Sequence, residues 1–453
     1  MIDPMAAVKG GETDTIAAVA TARGRAAVAV IRVSGKAARD VHRALTRRDL
    51  PAARHATLTR LIDPASGDLV DSALVIWFEG PRSETGEDLL ELHCHGGAAV
   101  QSILLDAIVA LPGCRLAEPG EFIRRAFDHG KLDLTEIEGI ADLIEAETQV
   151  QARQAARQMA GELGALYEGW ADALTRILAH LEATIDFADE ELPEGLVAQA
   201  QDEIDPIIDA VLHHLDDGRR GERLRAGLSV AIIGAPNAGK STLLNRLAGR
   251  DAAIVSDEAG TTRDVVELHL DLGGYPITVA DTAGLRDAGG AIEAEGMRRA
   301  LMRAGEADLK IIVVDATEFP AIPDSVIRLL GPNCLIAVNK IDLRPIDQTT
   351  MWDVPVLPIA ARGQGDIGAL TTAVIGFAAR HLANGAAPVL SRARHRFALQ
   401  DAAAALHRAQ KADAVELVAE EMRQAVRALG RITGRVDVED LLDLIFAEFC
   451  LGK

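Results

Sequence analysis

The sequence predicts a multidomain fold of mixed α+β and α/β class, in which an α/β domain interrupts a discontinuous helical one. Three observations carry that prediction. Residues 14–124 alternate short strand signals with turns. Residues 125–220 and 383–453 follow the period of amphipathic helices. Residues 221–382 open on an apolar strand, a glycine loop and a helix in succession. A chain of 453 residues has room for about three domains. Helical pieces on both sides of an α/β module imply insertion, which is tolerated because the termini of compact domains lie close together. The expected boundaries are 1–124, 125–220, 221–382 and 383–453.

In the first domain, Ala26 to Val33 reads as a strand ending at Ser34-Gly35, and Ser72 to Phe78 as another closed by Gly80-Pro81. From Asp88 to His95, Leu90, Leu92 and Cys94 fall on one side of a strand, and Glu91, His93 and His95 on the other. That second side reads as a polar sheet face, with a metal site as the lesser alternative. In the helical region, Leu134, Ile137, Ala141, Ile144 and Ala152 fit an i, i+3, i+4 stripe, and Leu163 to Phe187 continues in the same style, with Asp186 to Pro193 as an acidic break. Beyond Asn384-Gly385, Leu417 to Arg423 and Asp440 to Phe446 are further amphipathic pieces.

Composition narrows the classes. Apolar residues make 49% of the chain and aromatic residues only 3%, so the cores must be built from Ala, Leu, Ile and Val, a mix that favours helices. The net charge of −21 argues against a broad basic face that clamps nucleic acid, though a local patch or a partner can still present RNA. Cys94, Cys114, Cys334 and Cys450 form no CxxC pair and read as reduced, cytoplasmic thiols. No apolar run of about 18 residues and no signal peptide is apparent, so no membrane association is expected.

The chemistry is densest at Gly234-Ala235-Pro236-Asn237-Ala238-Gly239-Lys240-Ser241, between the apolar run Leu228 to Ile233 and the helical Thr242 to Leu247. This is GxxxxGKS in a strand–loop–helix setting; an ordinary glycine-rich turn is the competing reading. Glycines let backbone N–H groups curl inward onto phosphate oxygens, and the helix N-terminus adds positive partial charge. Lys240 suits the β- and γ-phosphates, and the Ser241 hydroxyl suits Mg²⁺. Downstream, Ile277 to Gly284 is an apolar strand ending in DxxG, where Asp281 can hold Mg²⁺ through water and the Gly284 N–H can meet the γ-phosphate. Leu335 to Asp342 is a buried strand ending in NKxD, with Asn339, Lys340 and Asp342. A carboxylate at Asp342 accepts two hydrogen bonds from guanine and finds no matching donors on adenine. Between them, Gly260-Thr261-Thr262-Arg263-Asp264 is a polar loop of the kind that closes over Mg²⁺ and γ-phosphate. Order and β/α alternation together point to a Ras-like P-loop GTPase.

One position is anomalous. The residue after DxxG, often a water-orienting Gln, is Leu285. An apolar side chain cannot position water. Two residues offer a substitute. Asn237 has an amide oxygen that can coordinate a monovalent cation beside the phosphates, supplying the charge of an arginine finger, although a turn cap is its plainer role. Glu293 can orient water, although a solvated helix acid is the plainer reading.

With these residues in view, the chain resembles the MnmE/TrmE family of tRNA-modification GTPases over almost its whole length. The N-terminal pieces that carry the likeness are Asp14-Thr15-Ile16, Gly24-Arg25, Arg32-Val33-Ser34-Gly35 and Thr85-Gly86-Glu87-Asp88. The middle pieces are Pro119-Gly120-Glu121-Phe122, Arg125-Ala126-Phe127 and Lys131-Leu132-Asp133-Leu134. The inserted domain adds GAPNAGKST, GTTRD and DTAGLR, and Phe449-Cys450-Leu451-Gly452-Lys453 resembles the family's closing Cys-x-Gly-Lys.

The resemblance implies an N-terminal domain similar to folate-binding domains, which also mediates homodimer formation, and a split helical domain carrying the GTPase. It implies modification of C5 of the wobble uridine of certain tRNAs to a (carboxymethyl)aminomethyl form, with a FAD-dependent partner in a heterotetramer. GTP, Mg²⁺, K⁺ and 5-formyl- or methylene-tetrahydrofolate are the implied cofactors. Arg32, Glu91, Lys131 and Lys453 match folate-contacting positions. Asn237, Ser256, Glu258 and Thr261 match potassium ligands, and Ser241 and Thr262 the Mg²⁺ ligands. Ala238, Gly239, Thr242 and the Ala360-Ala361-Arg362 segment complete the implied nucleotide site. Glu293 matches the catalytic acid; Arg263 and Cys450 join it as candidates, Cys450 either for thiol chemistry or for placing the C-terminus at the folate. Two departures stand out. The guanine-supporting SA(K/R) segment begins with Ala360, so its Ser hydroxyl is missing, and the usual Pro-Pro before Gly-Arg reads Ala22-Arg23. A GTP-dependent binding switch in RNA or ribosome maturation is the alternative function; its usual basic appendage is not visible.

Overall fold

The structure is a computed structural model. It describes residues 14–22, 24–186, 196–249, 253–254, 267–280, 305–362, 366–382, 388–436, 442, 445–446 and 449. The chain packs as two units, one of residues 1–141 with 433–453 and one of residues 142–432.

The first unit is built on β1 (Thr15–Val19), β2 (Ala26–Ser34), α1 (Ala38–Thr46), β3 (Thr57–Ile62), β4 (Leu69–Phe78), β5 (Leu89–Gly96), α2 (Ala98–Val109), β6 (Cys114–Leu116), α3 (Glu121–Asp128) and the start of α4 (Leu134–Glu145). Its six-stranded sheet runs in the order β3-β4-β5-β2-β1-β6, antiparallel except where β1 meets β6. The alternation of β5 is realised: Leu90, Leu92 and Cys94 are buried, and His95 is exposed. Ile31, Val33, Val75, Leu90 and Leu92 pack under Val41 and Leu45 of α1 and Leu104 and Ile108 of α2, so one face of the sheet forms a core. On the other side, Arg32 stands opposite Glu91, and Val30 opposite His93.

The second unit contains α5 (Gln149–Met159), α6 (Glu162–Asp186), α7 (Leu196–Leu215), α8 (Arg220–Ala226), β7 (Leu228–Gly234), α9 (Lys240–Ala248), β8 (Ala253–Ile254), β9 (Glu267–Leu272) and β10 (Tyr275–Ala280). It continues through β11 (Leu309–Asp315), the short α10 (Asp324–Ile327), β12 (Cys334–Asn339), β13 (Thr350–Met351), β14 (Val354–Pro358), α11 (Gly368–Leu382), α12 (Ala393–Lys411) and α13 (Val415–Thr433). Among the described residues its sheet has the order β13-β14-β12-β11-β7-β10-β9-β8. The five central strands β14 to β10 are parallel, and the apolar runs of β7, β11 and β12 are buried on both faces, as central parallel strands require. The chain runs from β7 to β10 on one side and later to β11 on the other. The C-terminal end of β7 is therefore the switch point at which such sheets bind ligands. A separate helical core joins α6, α7, α12 and α13 through Leu174, Leu181, Ile204, Val211, Leu399 and Met422.

The stripe from Leu134 to Ala152 spans two helices. Thr148 caps α5 in a reciprocal capping box with Gln151, which ends the earlier helix at Glu145 and leaves Ile144 half exposed. The expected acidic break at Asp186 to Pro193 falls almost wholly outside the described residues.

Candidate functional site

The nucleotide-binding candidate grows from the end of β7. Gly234 lies so close to β11 that a side-chain carbon there would sit 2.2 Å from the Val313 carbonyl. The loop then turns through Asn237, at φ 61, and Gly239, at φ 96, before α9 begins at Lys240. A helix start directly after a glycine loop is the setting an anion site requires. Lys240 Nζ closes back on the Gly234 and Ala235 carbonyls at 2.9 Å each, which keeps the ammonium over the loop. Ser241 and Thr242 are exposed in the first turn of α9, and Ala238 is buried beneath the loop.

Asn339 ties three segments together. Its side chain is buried, donates to the Ala238 carbonyl (2.9 Å) and accepts from the Ala361 N–H (3.0 Å). A side-chain carbon at Gly239 would lie 2.2 Å from the same amide nitrogen, so only glycine fits there. The Ala360-Ala361-Arg362 segment is held without the absent Ser hydroxyl: the Ala360 N–H donates to the Asp366 carbonyl and the Ala361 N–H to Asn339. Arg362 and Asp342 are exposed, leaving the Asp342 carboxylate open to a base.

Lys340, at φ 66, pairs with Asp315 at the end of β11 across 2.6 Å. Asp315 also accepts from the Thr317 N–H (2.9 Å) and hydroxyl (2.8 Å). The Lys340 hydrogen bond, aided by Thr317, holds the Asp315 carboxyl below its usual range. Sequence reasoning missed Asp315; its only signal was an acid closing the apolar strand Leu309–Asp315. A cleft of about 310 Å³ opens beside the loop between Gly234, Ala235, Val314, Asp315 and Ile322.

In the first unit, Arg32 and Glu91 form an ion pair at 3.0 Å; Arg32 also reaches Glu84 at 2.9 Å, and Glu91 receives His93 at 3.0 Å. The loop bearing Glu84 is anchored from below. Glu87 accepts from Ser34 and Arg125, both at 2.8 Å, and Arg125 continues to Glu121, which Arg115 grips at 2.6 Å. Burial alone would raise the Glu121 carboxyl. Arg115, the Glu118 N–H and Arg125 outweigh it and hold it below its usual range. Lys131 is exposed in the turn between α3 and α4, its N–H on the Ala126 carbonyl. Among the described residues no three His, Cys, Asp or Glu groups converge as a metal would require, so the metal alternative for Glu91, His93 and His95 has no cluster behind it. Ser256, Glu258, Thr261, Thr262, Arg263, Asp281, Gly284, Leu285, Glu293, Cys450 and Lys453 lie outside the described residues.

Comparison with known proteins is consistent over the whole chain. Residues 15–131 match the model of the GTP-binding protein TrmE N-terminus, and residues 134–450 that of the MnmE helical domain. The chain is similar to the tRNA modification GTPase MnmE of Parvibaculum lavamentivorans, 56% identical with 97% of this chain and 100% of that one covered. The protein of the same description from Paramagnetospirillum magneticum is 51% identical over the same shares. A mitochondrial 5-taurinomethyluridine-[tRNA] synthase subunit of Danio rerio is 45% identical, covering 97% of this chain and 93% of that one.

Proposed function

The chain belongs to the MnmE family of tRNA modification GTPases, and we propose that it couples GTP hydrolysis to the modification of C5 of the wobble uridine in certain tRNAs. The observation that carries the reading is the joining of the glycine loop, NKxD and the Ala360–Arg362 segment by the one buried amide of Asn339, in a chain similar throughout to proteins so described. The family is one of GTP hydrolases, and GTP with Mg²⁺ is what such a site takes. Ser241, exposed beside Lys240 in the first turn of α9, is the described Mg²⁺ ligand, with Thr262 as its expected companion.

Potassium activation belongs to the same proposal. Asn237 is exposed at the loop's crest in a left-handed conformation, which suits an amide oxygen turned toward a cation beside the phosphates. Ser256, Glu258 and Thr261 would complete the shell, and Glu293 would orient water in place of the Gln that Leu285 replaces. The one-carbon donor, 5-formyl- or methylene-tetrahydrofolate, is proposed to lie at Arg32 and Glu91. Glu91 offers a carboxylate to the donor-rich pterin edge, held in place by its ion pair with Arg32. Lys131, Lys453 and Cys450 are proposed to border it. A homodimer, a FAD-dependent partner and a cytoplasmic location are parts of the same reading, supported by the sequence resemblance. Among the described residues no helix is long and apolar enough to cross a membrane.

The test is reconstitution: the protein, a FAD-dependent partner, unmodified tRNA, GTP and methylenetetrahydrofolate, with nucleosides analysed by mass spectrometry. A modified wobble uridine that requires GTP and is lost with Lys240→Ala is the expected result. GTP turnover with no modified nucleoside would instead favour the binding switch.

A further inference from the structure

We propose that Asp315 is a positioning residue for guanine recognition, which through Lys340 holds the NKxD segment in the conformation that presents Asp342 to the base. This rests on the reading of Asp342 as the group that accepts the guanine donors. β11 and β12 run parallel with Asp315 opposite Asn339, so the two strand ends bring an acid and the first residue of NKxD side by side. Lys340 comes next, in a left-handed turn at φ 66. Residues with a side chain disfavour that conformation, so the surroundings must hold it. Backbone held in this way gathers at ligand clamps.

The holding groups are on both sides of the turn. Lys340 Nζ donates to Asp315 Oδ2 at 2.6 Å, and Oδ1 of the same carboxylate accepts from the Thr317 N–H and hydroxyl at 2.9 and 2.8 Å. One oxygen anchors the acid and the other anchors the lysine. The Asp315 side chain is 14% exposed and that of Lys340 32%, so solvent screens the pair only in part.

The backbone is gripped at the same place. The Ala316 N–H donates to the Asn339 carbonyl at 2.8 Å, and the Leu343 N–H to the Lys340 carbonyl at 2.9 Å. Arg344, two residues past Asp342, donates to the Ala316 and Phe319 carbonyls at 3.4 and 3.2 Å. The turn after β11 therefore holds NKxD before and after Asp342. Asp342 itself is exposed, and among the described residues no hydrogen bond or ion pair holds its carboxylate. Its aim is set by the backbone that carries it, and that backbone is what Asp315 and its turn fix. Asp315 also lines the cleft beside Gly234 and Ala235, so the clamp borders the phosphate loop.

The test reads base discrimination. GDP and inosine diphosphate, which lacks the guanine 2-amino group, are titrated by calorimetry into the unaltered protein, Asp315→Asn, Asp315→Glu, Thr317→Val, Lys340→Ala and the double variant of Asp315→Asn with Lys340→Ala. The unaltered protein should prefer GDP by about tenfold or more, the worth of a hydrogen bond to a charged group. In Asp315→Asn GDP affinity should fall about tenfold and the preference to below about threefold, with part of both recovered in Asp315→Glu. Thr317→Val, a change at an exposed residue that loosens the acid and keeps its charge, should lose part of the same preference. The double variant should bind as Lys340→Ala does, because the acid acts through the lysine.

GDP and inosine diphosphate weakened equally in Asp315→Asn would give the acid a purely structural role and overturn the inference. Tighter GDP binding in that variant would do the same, since Asp315 would then be competing with the nucleotide for Lys340. If Asp315→Asn does not fold, Thr317→Val decides: an undiminished preference there overturns the inference. No preference for GDP in the unaltered protein overturns the reading of Asp342, and the role of Asp315 with it.

Discussion

Asn339 shows how much one side chain can hold in place. Its two amide atoms join partners 101 and 22 residues away, and both partners are backbone groups buried with it. Asn339→Ala would strand the Ala238 carbonyl and the Ala361 N–H in the core, costing about 2 kcal/mol or more. Urea unfolding of the variant should show that loss, and binding of a fluescent GDP analogue should weaken at least tenfold; unchanged affinity would mean that the three segments are held by something else. The NKxD pattern was legible in the sequence because an acid spaced two residues from a lysine at the end of a buried strand has a guanine-reading logic of its own. The partners of Asn339 were not legible, because contacts across such separations depend on the sheet order. Asp315 was hidden for the same reason: Lys340 comes to it from the neighbouring strand β12.

At the scale of elements, strand alternation and glycine punctuation were legible in the sequence, and the break between α4 and α5 was not. The apolar stripe from Leu134 to Ala152 keeps its period through the break, so periodicity alone could not see it; the local signal was Thr148 with Gln151 three residues on. The bundle of α6, α7 and α12 carries a second consequence of packing. His214 on α7 sits against Tyr167 and Trp170, and burial pushes its pKa down to about 4, with His395, Arg396 and His213 acting the same way and Asp217 opposing. Between the unfolded value near 6.5 and the folded value near 4, the unfolded chain binds more protons, so stability falls as pH drops through that window. The helical core should lose about 2 kcal/mol from this group between pH 7.5 and 5, and His214→Leu should remove that slope. Urea titrations at the two pH values check it; an equal slope in the variant would assign the acid sensitivity elsewhere.

Across the whole molecule, the chain's two ends build one unit while its middle builds another. Leu442, Ile445, Phe446 and Phe449 pack with Ile123, Leu134 and Ile137, and the Arg124 guanidinium lies 5.9 Å from the Phe446 ring centre. Gly120, at φ 69, is required there, since a side-chain carbon would approach the Phe446 carbonyl to 2.4 Å. Phe446→Ala should destabilise the first unit by about 3 kcal/mol, read as a lower thermal midpoint with faster proteolysis after residue 433; an unshifted midpoint would show that the C-terminal segment is only loosely attached. That arrangement places a GTPase inside a chain whose ends belong together, and it makes GTP turnover the quantity on which the whole account depends. The most direct test is GTP hydrolysis by the pure protein in K⁺ and in Na⁺ at equal ionic strength, with Glu293→Ala alongside. The account predicts fast turnover in K⁺ only, lost in the variant. Equal, slow turnover in both salts would contradict it.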